Sequence, residues 1–133
     1  MSTTAPIGVI AQYNLLEQLE PSGPGDLYRA RDTRHGRTVT IRWLPRDFDA
    51  DGISPTTLIE RARGLSALSH PNVTTVFEAG VHGGRAYLVF EFLKGQSLRG
   101  EMGGRPVNVR RAVELAIQIA DAVADAHAAG YVH

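Results

Sequence analysis

Leu19-Glu20-Pro21-Ser22-Gly23-Pro24-Gly25-Asp26-Leu27-Tyr28-Arg29-Ala30-Arg31-Asp32, then a turn at His35-Gly36, then Val39-Thr40-Ile41-Arg42-Trp43-Leu44, is the stretch that decides the fold. A loop rich in Gly, Pro and Ser separates two strand-like segments, and a third strand follows the turn. Between Asp26 and Arg31 the residues Leu27, Arg29 and Arg31 alternate with Tyr28 and Ala30. In the third strand Val39, Ile41 and Trp43 share one face, and Thr40 and Arg42 share the other.

Upstream, Tyr13 to Glu20 carries Leu15, Leu16 and Leu19 among polar residues and reads as a first strand, while residues 1–12 read as a flexible tail. Downstream, Pro45 to Gly52 reads as a loop, with Pro45 ending the strand. Ser54-Pro55 then offers an N-cap and a proline at the first helical position. The helix that follows places Leu58, Arg61, Ala62, Leu65 and Leu68 on one stripe. After a break at Ser69-His70-Pro71-Asn72, Thr75 to Gly80 and Arg85 to Phe92 read as two more strands joined at His82-Gly83-Gly84. Asn108 can cap a last helix, Val109 to Ala129, which Gly130 stops. Apolar residues cover so much of this helix, Val113, Leu115, Ile117, Ile119 and Val123 among them, that burial on most sides is expected.

The chain has 133 residues, enough for one modest core. Acidic and basic residues number 14 each, so no net field directs it to nucleic acid or to an anionic membrane. Cysteine is absent, which removes disulfides, Cys-ligated zinc and thiol catalysis. Five scattered histidines show no metal-ligand spacing, and His70 and His127 read as structural. Neither a signal peptide nor a membrane span is expected, and a cytoplasmic setting follows as the default.

The loop between two strands, with a charged residue on the third, resembles the roof of the nucleotide pocket in protein kinases, where a glycine-rich loop covers the phosphates and a strand lysine holds them. Tyr28-Arg29-Ala30-Arg31-Asp32 is similar to the bacterial Ser/Thr kinases in particular. Three further segments keep the family's order: Leu68-Ser69-His70-Pro71-Asn72-Val73, Tyr87 to Gly95 with Phe90 at the gatekeeper position, and Ala126 to His133, whose last residue resembles the His of the H-R-D catalytic loop. The resemblance implies an α+β fold: a five-stranded antiparallel sheet with helix C as an N-lobe over residues 13–93. Residues 94–133 would then be the hinge exit and part of a C-lobe, with helices D and E.

The same resemblance places Leu19, Gly25, Leu27, Thr40, Arg42, Glu91, Leu93 and Ser97 at nucleotide-binding positions, and it shows what has changed there. The first two loop glycines map to Glu20 and Ser22; glycines let backbone approach phosphate closely, and Glu20 adds a negative charge instead. Pro24 removes one N–H donor. Arg42 stands for the lysine, a planar fork in place of a point-like ammonium. Arg61 falls where helix C should offer a glutamate, although a shift of one residue would put Glu60 there. Arg42 and Arg61 then either flank an anion or are simply two solvated arginines.

Because the sequence ends at His133, the family's catalytic aspartate, metal-binding asparagine and D-F-G segment have no counterpart within it, so no catalytic or metal-binding residue is expected here. The leading functional expectation is a truncated, catalytically inactive kinase-like module that binds a protein partner or itself through Val113, Ile117, Ile119 and Val123 of helix E. One alternative is the N-terminal part of a longer Ser/Thr kinase that uses ATP with Mg²⁺. The other is a nucleotide-binding sensor without transfer activity. For the chain as given, no cofactor is expected to bind tightly.

Overall fold

Alternation along Val39-Thr40-Ile41-Arg42 sets the middle of the sheet, because Val39 and Ile41 are wholly buried while Thr40 and Arg42 on the opposite face are only partly covered. A computed structural model of the chain describes residues 5–21, 23–46 and 54–132. In chain order its elements are β1 Gly8–Ile10, β2 Tyr13–Gln18, β3 Asp26–Asp32, β4 Arg37–Trp43, α1 Pro55–Leu65, β5 Val76–His82, β6 Arg85–Glu91, α2 Leu98–Met102 and α3 Val109–Ala128. They fall into two units, one drawn from Met1–Ala67 and Thr75–Phe92, the other from Leu68–Thr74 and Leu93–His133. Ser22, most of the expected Pro45–Gly52 loop and His133 lie outside the described residues.

The first unit is an antiparallel sheet in the order β1-β2-β3-β4-β6-β5. One face holds Ile10, Tyr13, Leu15, Ala30, Val39, Ile41, Tyr87 and Val89. The other carries Leu88 and Phe90 against Leu44, Val76, Ala79 and Ala86, with Ile59 and Ala62 of α1. The sheet curls strongly enough for the Tyr13 hydroxyl on β2 to donate to Glu78 on the far edge strand β5. Tyr13 also meets Tyr87 edge to face, with centroids 6.2 Å apart. Burial, and then the bond to Glu78, push the Tyr13 phenol pKa well above its ordinary value.

Two expectations for this unit need correction. The sheet has six strands, not five, because Gly8–Ile10, read as tail, pairs with β2. The hairpin closes through Ala11-Gln12, with Ala11 at φ 49°, and the burial of Ile10 holds it in place. In α1 the buried residues are Ile59 and Ala62, with Leu58 and Leu65 packed beside them. Arg61 is exposed, as is Glu60, so the inward stripe runs through Ile59 and not through Arg61. The predicted cap is present: the Ser54 hydroxyl accepts from the Thr57 amide at 3.2 Å, with Pro55 in the first turn.

In the second unit α3 starts at its Asn108 cap, whose side chain accepts from the Arg111 amide at 2.8 Å. Asn72 Nδ2 donates to the Gln118 carbonyl at 3.4 Å, and Arg111 pairs with Glu101 of α2 at 2.9 Å. Those contacts hold one side of the helix. The expected burial on most sides does not occur, since none of its residues is buried and Ile117 is 63% exposed. Among the described residues of this unit, α2 and short irregular segments alone are available to cover it. Among the described residues, no helix is long and apolar enough to cross a membrane.

Candidate functional site

Five of the residues singled out by the sequence gather on one loop and two neighbouring strands, β3 and β4, of the first unit. The loop between β2 and β3 is closed at its base by the Leu19 amide donating to the Leu27 carbonyl at 2.7 Å. Where it enters β3 the chain turns through Gly25 at φ +76°, where an added Cβ would lie 2.2 Å from the Trp43 carbonyl oxygen. Only glycine fits there, and it lets the loop lie directly on β4. Leu27 is registered opposite Arg42, and Thr40 lies between Arg29 and Phe90. Strand alternation puts Thr40 and Arg42 on the same face as Leu88 and Phe90.

Arg42 is the unusual member of the group. Its Nη1 donates to the Pro24 carbonyl at 2.9 Å, tying β4 to the loop above it. An added Cβ at Gly23, itself at φ +88°, would come within 3.2 Å of the same nitrogen. Burial lowers the Arg42 pKa from its ordinary value. A guanidinium still keeps its charge at neutral pH. Among the described residues no carboxylate forms an ion pair with it. The sequence treated Pro24 only as a lost donor; its carbonyl turns out to be the Arg42 partner, and no spacing rule signals such a contact.

Glu91 ends β6 tied to Thr75 twice: its carboxylate accepts from the Thr75 amide and its own amide donates to the Thr75 carbonyl, both at 3.0 Å. Leu93 and Ser97 belong to the second unit. Leu93 is exposed, and the Ser97 hydroxyl caps α2 by accepting from the Gly100 amide at 3.1 Å. In that unit His70 Nδ1 accepts from the Asn72 amide, so Nε2 carries the proton offered to Asp121 at 3.0 Å. His70 is therefore a structural link, as its sequence context suggests. A second polar centre, Asp32 with His35 and Arg37, closes the β3–β4 hairpin. The turn at His35-Gly36 predicted the hairpin but not the buried carboxylate beneath it.

The family model described as protein tyrosine and serine/threonine kinase matches residues 17–133. The serine/threonine-protein kinase pkn2 of Myxococcus xanthus is 33% identical over 122 residues, covering 92% of this chain and 15% of that protein. The serine/threonine-protein kinase PknA of Mycobacterium tuberculosis is 31% identical over 140 residues, covering the whole of this chain and 32% of that protein. The chain thus spans a third or less of these relatives. Among solved structures, the Mycobacterium tuberculosis PknI kinase domain superposes with a TM-score of 0.85 at 18% identity, over all of this chain and 54% of that one. At that identity the likeness speaks for the fold alone.

Proposed function

Since the chain belongs to the protein kinase family and matches a fragment of a kinase domain, we propose that these 133 residues form a kinase-like module that transfers no phosphate and acts through protein contacts. The observation that carries the reading is Arg42. The residue at the family's lysine position donates to the Pro24 carbonyl of its own loop, and no carboxylate is paired with it among the described residues. Glu20, in place of a loop glycine, adds repulsion toward phosphate. Leu19, Gly25, Leu27, Thr40, Arg42, Glu91, Leu93 and Ser97 are on this reading remnants of a nucleotide site, and the place of the helix glutamate falls to Arg61, or to Glu60 one residue before it, both exposed. The Arg61 exposure supports a lost ion pair. ATP with Mg²⁺ belongs to a longer parent chain, if there is one.

The test is incubation of the purified chain with γ-labelled ATP and Mg²⁺ or Mn²⁺, alone and with a general protein substrate. Label at the level of a heat-denatured control is the expected result. Incorporation above that level, abolished by Arg42→Ala, would return the chain to the active kinases.

The contact surface of this proposal is the exposed apolar part of α3: Val109, Val113 and Ile117 follow one another along one side, Ile119 and Val123 along another, and all but Val123 are more than half exposed. Leaving such side chains in water forgoes roughly 1.5–3 kcal/mol for each one fully buried. Contiguous patches of this kind mark interfaces. The chain is expected to self-associate through α3. The double substitution Ile117→Glu, Ile119→Glu should lower the mass seen by light scattering to that of one chain. A wild-type chain that stays monomeric at high micromolar concentration, with α3 protected from hydrogen exchange, contradicts this part.

A further inference from the structure

We propose that Arg85, the first residue of β6, is the positioning residue of the Gly25–Asp26 corner, where the chain enters β3. One guanidinium holds both the strand that leaves the corner and the backbone on which the corner rests. Its Nη2 donates to an Asp26 carboxylate oxygen at 3.1 Å and to the Trp43 carbonyl at 3.2 Å, and its Nε donates to the Leu44 carbonyl at 2.8 Å. The Trp43 carbonyl oxygen is the same atom that restricts position 25 to glycine. Asp26 is the next residue and is registered opposite Trp43. Arg85 thus sets the two sides of this close approach against each other, although it lies 59 residues from Asp26 along the chain.

The backbone explains why an arginine is needed. Carbonyls of consecutive residues in a regular strand point to opposite sides. Those of Trp43 and Leu44 meet one side chain, so the chain leaves the pleat here, where β4 ends and Pro45 follows. A planar fork serves two such acceptors and a carboxylate at once; the point-like ammonium of a lysine does not match that arrangement. The guanidinium also lies over the Trp43 indole, 4.0 Å from the ring centroid, which adds a cation–π contact to the same residue. The pair with Asp26 taken alone is weak, because that carboxylate is 42% exposed and exposed pairs contribute little. The two carbonyl bonds and the stacking carry the tie. Leu27 follows Asp26 and lies opposite Arg42, so the placing of these two candidate-site residues is set from β6.

Two amides report on the corner from either side: Leu19 donates to the Leu27 carbonyl at 2.7 Å, and Leu44 to the Ala86 carbonyl at 2.8 Å. The Thr33 amide, bonded to the Gln12 carbonyl beyond the other end of β3, is the control. In Arg85→Met, hydrogen exchange at Leu19 and Leu44 should quicken about tenfold, the order that one hydrogen bond to a charged group supplies. Thr33 should keep its wild-type rate. Arg85→Lys should quicken both amides by a similar factor, because charge without the fork does not hold the corner. Asp26→Asn should change them by no more than about threefold. Should Arg85→Met fail to fold, Arg85→Lys against wild type makes the same comparison. Wild-type exchange at Leu19 and Leu44 in Arg85→Met, wild-type rates restored by lysine, or an equal quickening at Thr33 overturns the proposal. No readout involves nucleotide or phosphate, so the positioning role stands or falls separately from the inactive-module reading.

Discussion

Replacing Asp32 with alanine should lower the unfolding free energy by roughly 2–4 kcal/mol, the range for stripping a buried, hydrogen-bonded carboxylate from its partners. Asp32 is the one charged residue among the described ones with no exposed surface. One carboxylate oxygen accepts from the Arg34 and His35 amides at 3.0 and 3.1 Å, the other from His35 Nδ1 at 2.8 Å, with Arg37 Nε 3.6 Å away. Arg37 in turn stacks on Phe77 at 3.6 Å, carrying the cluster across to β5. Burial by itself would raise the pKa of Asp32, but the hydrogen bonds from His35 and Arg34 outweigh it and hold the carboxyl below the usual carboxylate range. A depressed folded-state pKa gives stability that is fully present above the unfolded value, near 3.9, and lost as pH falls through the folded one. Urea unfolding should therefore show wild type losing stability below about pH 4. In Asp32→Asn that loss should be smaller. A loss of equal size in Asp32→Asn would mean that Asp32 is not the group responsible.

Truncating Tyr13 to alanine should cost roughly 3–5 kcal/mol, as for other large aromatic side chains removed from a core. Tyr13 is the largest of the fully buried side chains and joins the second strand to the far edge of the sheet. Its ring fills the space beside Tyr87, and its hydroxyl satisfies Glu78, which Gln12 also reaches at 3.3 Å. Tyr13→Phe keeps the ring and removes only the hydroxyl, so its cost should stay near 1–2 kcal/mol, about that of one buried hydrogen bond. Chemical denaturation of both variants checks the pair. Comparable losses from Phe and from Ala would show that the hydroxyl, and not the packed ring, closes the curl.

Most of this sheet was legible in the sequence, and the exceptions have identifiable causes. Strands β3 and β4 carry period-two alternation, glycine turns mark the β3–β4 and β5–β6 hairpins, and Ser54-Pro55 and Asn108 mark helix starts by side chains that do accept the expected amides. Strand β1 has three residues and returns through Ala11-Gln12, a turn with neither glycine nor asparagine to announce its positive φ. The stripe of α1 was misjudged because Arg61 sits at a helical spacing from Leu58 and Leu65, whereas Ile59 and Ala62 supply the burial. Periodicity names a face but not its limits. The apolar breadth of α3 was equally plain, yet what covers it is not written in the helix itself.

At the candidate site the residues were found by resemblance, and their partners were not. That Arg42 reaches Pro24 depends on how far the loop bends over β4, which follows from Gly25 meeting the Trp43 carbonyl at a distance no Cβ allows. Local composition showed a loop able to turn sharply. Only the folded backbone shows onto what it turns.

The central claim is that the phosphate-reading part of the kinase roof is lost in this chain. Each phosphate contact forgone is worth roughly 1.5–3 kcal/mol, enough to erase the usual preference of such a site for a triphosphate. Calorimetric titration of the intact chain with Mg·ATP and, separately, with adenosine measures this directly. Comparable and weak binding of the two is the result the account predicts. Micromolar Mg·ATP binding, far tighter than that of adenosine, would contradict it.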